Sequence, residues 1–133
     1  MKEEKMKVLM VEPGKKAYLT EIGTDLEDLQ RAVDGYIETC YPFEDDVCIV
    51  CNEEGKLNGM EANRAIYKKG TLMDIIYGPF FICGVGDEDF ESLADDLAGK
   101  YQKLFDLPCR FIRFEGGKLN VIEYEPAQGG TSK

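Results

Sequence analysis

The chain has no histidine and no tryptophan. The first absence is the more restrictive. Without imidazole there is no Ser-His-Asp or Cys-His nucleophile, and no histidine-ligated zinc or non-haem iron centre. An enzyme built from this sequence would work with carboxylates, lysine, tyrosine or a bound cofactor. Long apolar runs are also missing: nothing approaches the roughly 18 uninterrupted apolar residues that suggest a membrane span. The charged start Met1-Lys2-Glu3-Glu4-Lys5 leads into an apolar run too short for a signal-peptide core. A cytoplasmic location is expected. Basic charge is scarce, with 16 Lys and Arg against 26 Asp and Glu and a net charge of −10. The excess is local: residues 21–61 carry 12 acids and only two bases, Arg31 and Lys56. Nucleic-acid backbones and anionic membranes both need a basic stripe, so neither suits this chain as a direct partner. A basic protein does. A solvated face kept for solubility is the plainer reading of the same acids.

With 133 residues, 44% hydrophobic and 32% charged, the chain fits one globular domain with its own core. That domain is expected over residues 1–126, followed by a disordered tail over 127–133. Lys7–Val11 and Ala17–Ile22 have strand composition around the turn Glu12-Pro13-Gly14-Lys15, which predicts a hairpin. Thr24 and Glu27 make a capping box for a helix with Leu26, Leu29 and Val33 as its apolar stripe. Glu27 is expected to pair with Arg31, and Gly35 to end the helix. Tyr36–Tyr41 reads as a continuation of the helix or as a strand, stopped by Pro42. Val47-Cys48-Ile49-Val50-Cys51 is continuously apolar, as a central strand covered on both faces would be. Ala62–Tyr67 fits one helical turn or a short strand. Leu72–Tyr77 and Phe80–Cys83 read as two strands, or as one bent at Gly78-Pro79. Phe90, Leu93, Ala94, Leu97, Tyr101, Leu104 and Phe105 recur at helical spacing, with Asp89 as the predicted cap. Cys109–Phe114 and Leu119–Glu125 read as a last hairpin. The fold class is α+β: a mostly antiparallel sheet or partly open barrel with two amphipathic helices.

No stretch spells out a catalytic centre, and no cofactor or metal is expected. The five cysteines Cys40, Cys48, Cys51, Cys83 and Cys109 have no framework spacing and read as buried thiols of a reducing compartment. Cys48 and Cys51 match C-x-x-C by letter, but residues three apart on a strand point to opposite faces. Gly84-Val85-Gly86 has the look of a phosphate turn, yet Asp89 stands where the next glycine belongs, among acids that repel phosphate. It reads as a turn into a self-capped helix. Glu123 and Glu125 share a strand face, as a paired acid site requires, and solvent exposure of a terminal strand explains them as well. Glu44, Asp45, Asp46, Glu53 and Glu54 form the expected acidic surface, with Glu44–Asp46 as a solvated turn. The densest polar chemistry is Asn52, Asn58, Asn63 and Arg64. Such residues bond loop backbone or line a groove. Asp74 joins them as a binding candidate and as a bridge partner for Arg64.

Val8-Leu9-Met10-Val11-Glu12-Pro13-Gly14, Gly35-Tyr36-Ile37-Glu38, Cys51-Asn52-Glu53-Glu54-Gly55-Lys56-Leu57-Asn58-Gly59 with Asn63-Arg64-Ala65, and Asp74–Gly84 together resemble the domain-of-unknown-function family 3846. The likeness covers roughly residues 7–105. It implies a setting in gut bacteria and their mobile elements and carries no catalytic residues over. Three functions stay open: a non-catalytic accessory protein working by protein contact, a DNA-mimic antirestriction-type inhibitor, and a ligand binder or enzyme using Asn58–Arg64. Oligomeric state is left open.

Overall fold

The most apolar stretches of the chain become neighbours at the centre of one sheet. The computed structural model describes residues 4–87 and 89–126. Among them, in chain order, are β1 (Lys5–Val11), β2 (Tyr18–Gly23), α1 (Leu26–Val33), β3 (Ile37–Cys40), β4 (Val47–Asn52), β5 (Ala62–Lys68) and β6 (Thr71–Tyr77). There follow β7 (Phe80–Val85), β8 (Phe90–Glu91), α2 (Asp95–Leu104), β9 (Cys109–Arg113) and β10 (Leu119–Glu123). The main sheet has the order β2-β1-β7-β4-β3, with β8 added beside β7, and every pairing is antiparallel. Its two edges stay apart, so the fold is an open α+β sheet rather than a closed barrel. β5 with β6, and β9 with β10, form two separate antiparallel ribbons. The tail expected over 127–133 lies outside the described residues.

Strand alternation sorts the core into two layers. Val8 and Met10 of β1, Cys48 and Val50 of β4, and Phe81 and Cys83 of β7 face Leu29 and Val33 of α1. Leu9 and Val11, Val47, Ile49 and Cys51, and Phe80 and Ile82 take the other face. There they meet Ala98, Tyr101 and Phe105 of the α2 region, with Ile66 and Ile76 from the β5–β6 ribbon. Burying each such side chain contributes about 1.5–3 kcal/mol, which is why β4 and β7, apolar on both sides, occupy the middle.

Both helices depart from the sequence expectation at their starts. α1 is capped by Asp25, not Thr24, and its box is closed by Asp28, whose Oδ2 accepts from Asp25 N at 3.3 Å. Arg31 pairs with that same Asp28 at 3.1 Å rather than with Glu27. Leu26 is 58% exposed, leaving Leu29 and Val33 as the buried stripe. The C-cap is Asp34 in the left-handed region (φ 63°), one residue before Gly35. α2 begins at Asp95 behind Ala94, not at Asp89. The cause is β8: Phe90 pairs with Val85 across a turn closed by Gly86 N donating to Asp89 O at 2.8 Å. That turn enters a strand, so Gly84-Val85-Gly86 faces no helix start. β6 and β7 are separate strands in different sheets. Leu104, assigned to the buried stripe, is 52% exposed.

Candidate functional site

Asn52, Asn63 and Arg64 are the buried polar side chains among the described residues. Each is spent on backbone. Asn52 ends β4, and its Nδ2 donates to Val33 O at 3.1 Å and Asp34 O at 3.0 Å, while Oδ1 accepts from Glu54 N at 2.8 Å. A helix leaves its last carbonyls unpaired, so a strand residue here caps α1. Gly35 permits the approach, since a Cβ there would stand 2.5 Å from Asn52 Nδ2. Asn63 Nδ2 donates to Val11 O at 3.0 Å and Gly78 O at 2.8 Å, tying the end of β1 to the turn between β6 and β7. Gly78 holds φ +83°, a conformation glycine adopts without a steric penalty.

Arg64 is 1% exposed. Its Nε and Nη2 both donate to Phe105 O, at 3.2 and 3.0 Å, and Nη2 also reaches Lys15 O at 2.6 Å. Nη1 donates to Asn63 Oδ1 at 2.8 Å, Asn63 O at 3.3 Å and Glu12 O at 3.5 Å. Phe105 is the C-cap of α2, so the guanidinium sits at the negative end of that helix. Burial lowers its pKa, but an arginine remains charged in a protein. Consecutive residues normally face opposite ways on a strand. The register shift between Ala62 and Arg64 turns Asn63 and Arg64 inward together.

The other two binding candidates lie elsewhere. Asn58 is exposed at the mouth of a shallow hollow that Asn52 also lines, beside Gln30, Gly35 and Tyr36, well away from Asn63 and Arg64. Asp74 is exposed and faces Lys56 Nζ at 3.4 Å; Arg64 pairs in register with Ile76, so the expected Arg64–Asp74 bridge is absent. The five candidates do not converge on one cleft.

The acidic surface is also divided. Glu44–Asp46 precede β4 and Glu53–Glu54 follow it, which puts them at opposite ends of a strand about 20 Å long. Asp45 is no free acid of a solvated turn: its Oδ2 accepts from Lys100 Nζ at 2.6 Å and Tyr101 Oη at 2.7 Å. Those bonds hold its carboxyl below the usual range and push the Tyr101 hydroxyl up, burial being the larger cause for the tyrosine. The remaining acids of that loop gain neighbours the sequence places far away. Val85 N donates to Asp46 O at 3.0 Å, bringing the end of β7, and with it β8, against the 41–46 loop. Glu44, Asp46, Asp87, Asp89 and Glu91 are all exposed, and none forms an ion pair among the described residues. Glu123 and Glu125 part company too, Glu125 facing Lys16 at 3.8 Å.

Cys48 and Cys51 take opposite faces of the sheet, as strand alternation requires. Cys48 has another neighbour: Cys83, directly across in register, with the two Sγ atoms 3.7 Å apart. The contact with Cys48 and burial push the Cys83 thiol up, which keeps it protonated and unreactive.

A feature absent from the sequence reading is a cleft of about 360 Å³ on the α2 side. It lies between β5, the end of α2 and the β9–β10 ribbon. Phe43, Ile66, Tyr67, Leu104, Phe105 and Val121 form most of its wall, with Cys109 and Glu123 at one side and Arg64 behind. Burial pushes the Cys109 thiol up. Half-exposed Tyr67 and Leu104 were the available signal, but periodicity alone assigns such residues to a core.

A family model described as Domain of unknown function (DUF3846) matches residues 6–106. The chain belongs to that family. The DUF3846 segment contains the main sheet, both helices and all three buried polar residues; the β9–β10 ribbon lies beyond it. No curated protein matches the chain, and no solved structure does. No helix among the described residues is long and apolar enough to cross a membrane.

Proposed function

We propose that this chain is a non-catalytic binding protein that acts through contact with a basic protein partner. The observation that supports it most is the pair of adjoining segments, the 41–46 loop and the turn into β8, carrying Glu44, Asp46, Asp87, Asp89 and Glu91, exposed and without ion pairs among the described residues. The residues most suited to chemistry are engaged elsewhere, since Asn52, Asn63 and Arg64 hold backbone carbonyls. Loops concentrating one sign of charge attract an oppositely charged surface and speed its encounter. A duplex mimic needs carboxylates in a long row, and a division of the acids between two ends of β4 favours a compact protein contact instead. On this reading the chain works in the cytoplasm as an accessory of a bacterial mobile element or its host, the setting that the family resemblance implies.

The test is affinity capture from the native host with the wild-type chain and with the variant Glu44→Lys, Asp46→Lys, Asp87→Lys. A basic protein retained at low salt, released as salt rises and lost in the variant is the expected result. A specific partner held equally by both chains would rule out this surface, and no specific partner would argue against the whole reading.

A further inference from the structure

We propose that the cleft between β5, α2 and the β9–β10 ribbon is a binding site for a small, uncharged, largely apolar molecule with a ring-shaped body. Its volume of about 360 Å³ falls within the range of small-molecule sites. An α-helix of a partner, about 10 Å across with its side chains, would not enter. Phe43, Tyr67 and Phe105 supply aromatic surface, and Phe43 is itself fixed by Tyr101 and Phe105, with ring centroids 4.7 and 6.2 Å away. The wall is therefore built and not a gap between mobile side chains.

Charge selects against ions. The guanidinium of Arg64 lies behind the wall with its N–H groups committed to Phe105, Lys15, Glu12 and Asn63, so it offers no anion a hydrogen bond. Glu123 sets a negative charge on the same lining, near enough to act on Arg64, so the potentials of the two charges partly cancel in the cleft. The Cys109 thiol stays neutral and can give or take one weak hydrogen bond. An apolar ligand with at most one polar group matches this lining. Leu107, Cys109, Val121 and Glu123 all lie beyond the residues of the DUF3846 match, so the ribbon adds to the family fold the wall that closes the site.

The neutral dye N-phenyl-1-naphthylamine, which brightens in apolar surroundings, is the first probe. The intact chain is expected to bind it saturably, one dye per chain, and to bind the anionic 1-anilinonaphthalene-8-sulfonate about tenfold more weakly or less. Val121→Trp fills the cleft, and because the chain has no tryptophan the new indole reports its own surroundings. This variant should lose the neutral dye by about tenfold or more. Leu104→Glu, at a half-exposed position that tolerates charge, should weaken binding in the same direction with the circular dichroism spectrum unchanged. Leu26→Glu on the other side of the sheet should bind as wild type. Absence of saturation, equal binding of the two dyes, or wild-type affinity in both cleft variants would overturn the proposal. A cleft that only receives a side chain as part of a large protein interface would give the first of these results.

Discussion

The two faces of the main sheet are covered in different ways. The α1 face is closed by one short helix that lays Leu29 and Val33 onto Met, Val, Cys and Phe side chains. The α2 face is shared by a helix, a ribbon whose Ile66 and Ile76 join the core, and a second ribbon resting beside them. One amphipathic element can be matched to a flat surface by a regular stripe. Three elements of different twist meet only at some positions, and the space they leave is the cleft. The closed face serves stability, and the shared face is where a binding site can be added without disturbing the sheet.

That contrast can be broken most strongly at Arg64. Arg64→Ala strips donors from Phe105 O, Lys15 O and Glu12 O inside the shared face, and should cost about 3–5 kcal/mol in urea unfolding. A variant within about 0.5 kcal/mol of wild type would mean water replaces the guanidinium and that Arg64 is no keystone. Next, the same substitution on each face separates them. Leu29→Ala should cost about 2–4 kcal/mol, whereas Leu104→Ala, at a residue 52% exposed, should fall within about 0.5 kcal/mol. Equal losses would erase the distinction. Asn52→Ala leaves Val33 O and Asp34 O without their donor and should cost about 1–3 kcal/mol. Amide exchange should quicken first at the end of α1. The smallest effect concerns acid. Lys100 and Tyr101 depress the folded pKa of Asp45, so its contribution is present above the unfolded value, about 3.9, and is lost as pH falls through the lower folded value. Asp45→Asn should flatten the acid limb of the stability profile below about pH 4, lowering stability slightly at neutral pH, where the ionised carboxylate contributes, and matching wild type in acid.

The contrast also decides what could be read from the residues alone. β4 and β7 were legible because a run apolar at every position has few places to go except between two layers. The split of Cys48 and Cys51 followed from alternation alone. The helix starts were harder. Thr24-Asp25-Leu26-Glu27-Asp28 holds two overlapping capping boxes, and the choice between them depends on where β2 releases the chain at Gly23. Phe90 fits the helical stripe by spacing, but its pairing with Val85 is a long-range fact. Asn63 and Arg64 were visible as unusual, and their direction was not. Whether adjacent side chains turn inward together depends on a register shift against β6, and strand composition does not specify one. The cleft was the least legible, since it arises from how elements fail to meet.

Arg64 also bears on the order in which the molecule can assemble. Asn52 finds the end of α1 only 18 or 19 residues back, so the closing bond of that helix is within short reach as soon as β4 forms. The guanidinium must wait for Phe105, 41 residues further on, and for loop carbonyls 49 and 52 residues behind it. Closing spans of that length costs more chain entropy before any bond repays it. During synthesis, a positive charge destined for the interior therefore stays in water until the second helix has emerged, and the first ribbon can be fully buried only once Phe105 is in place.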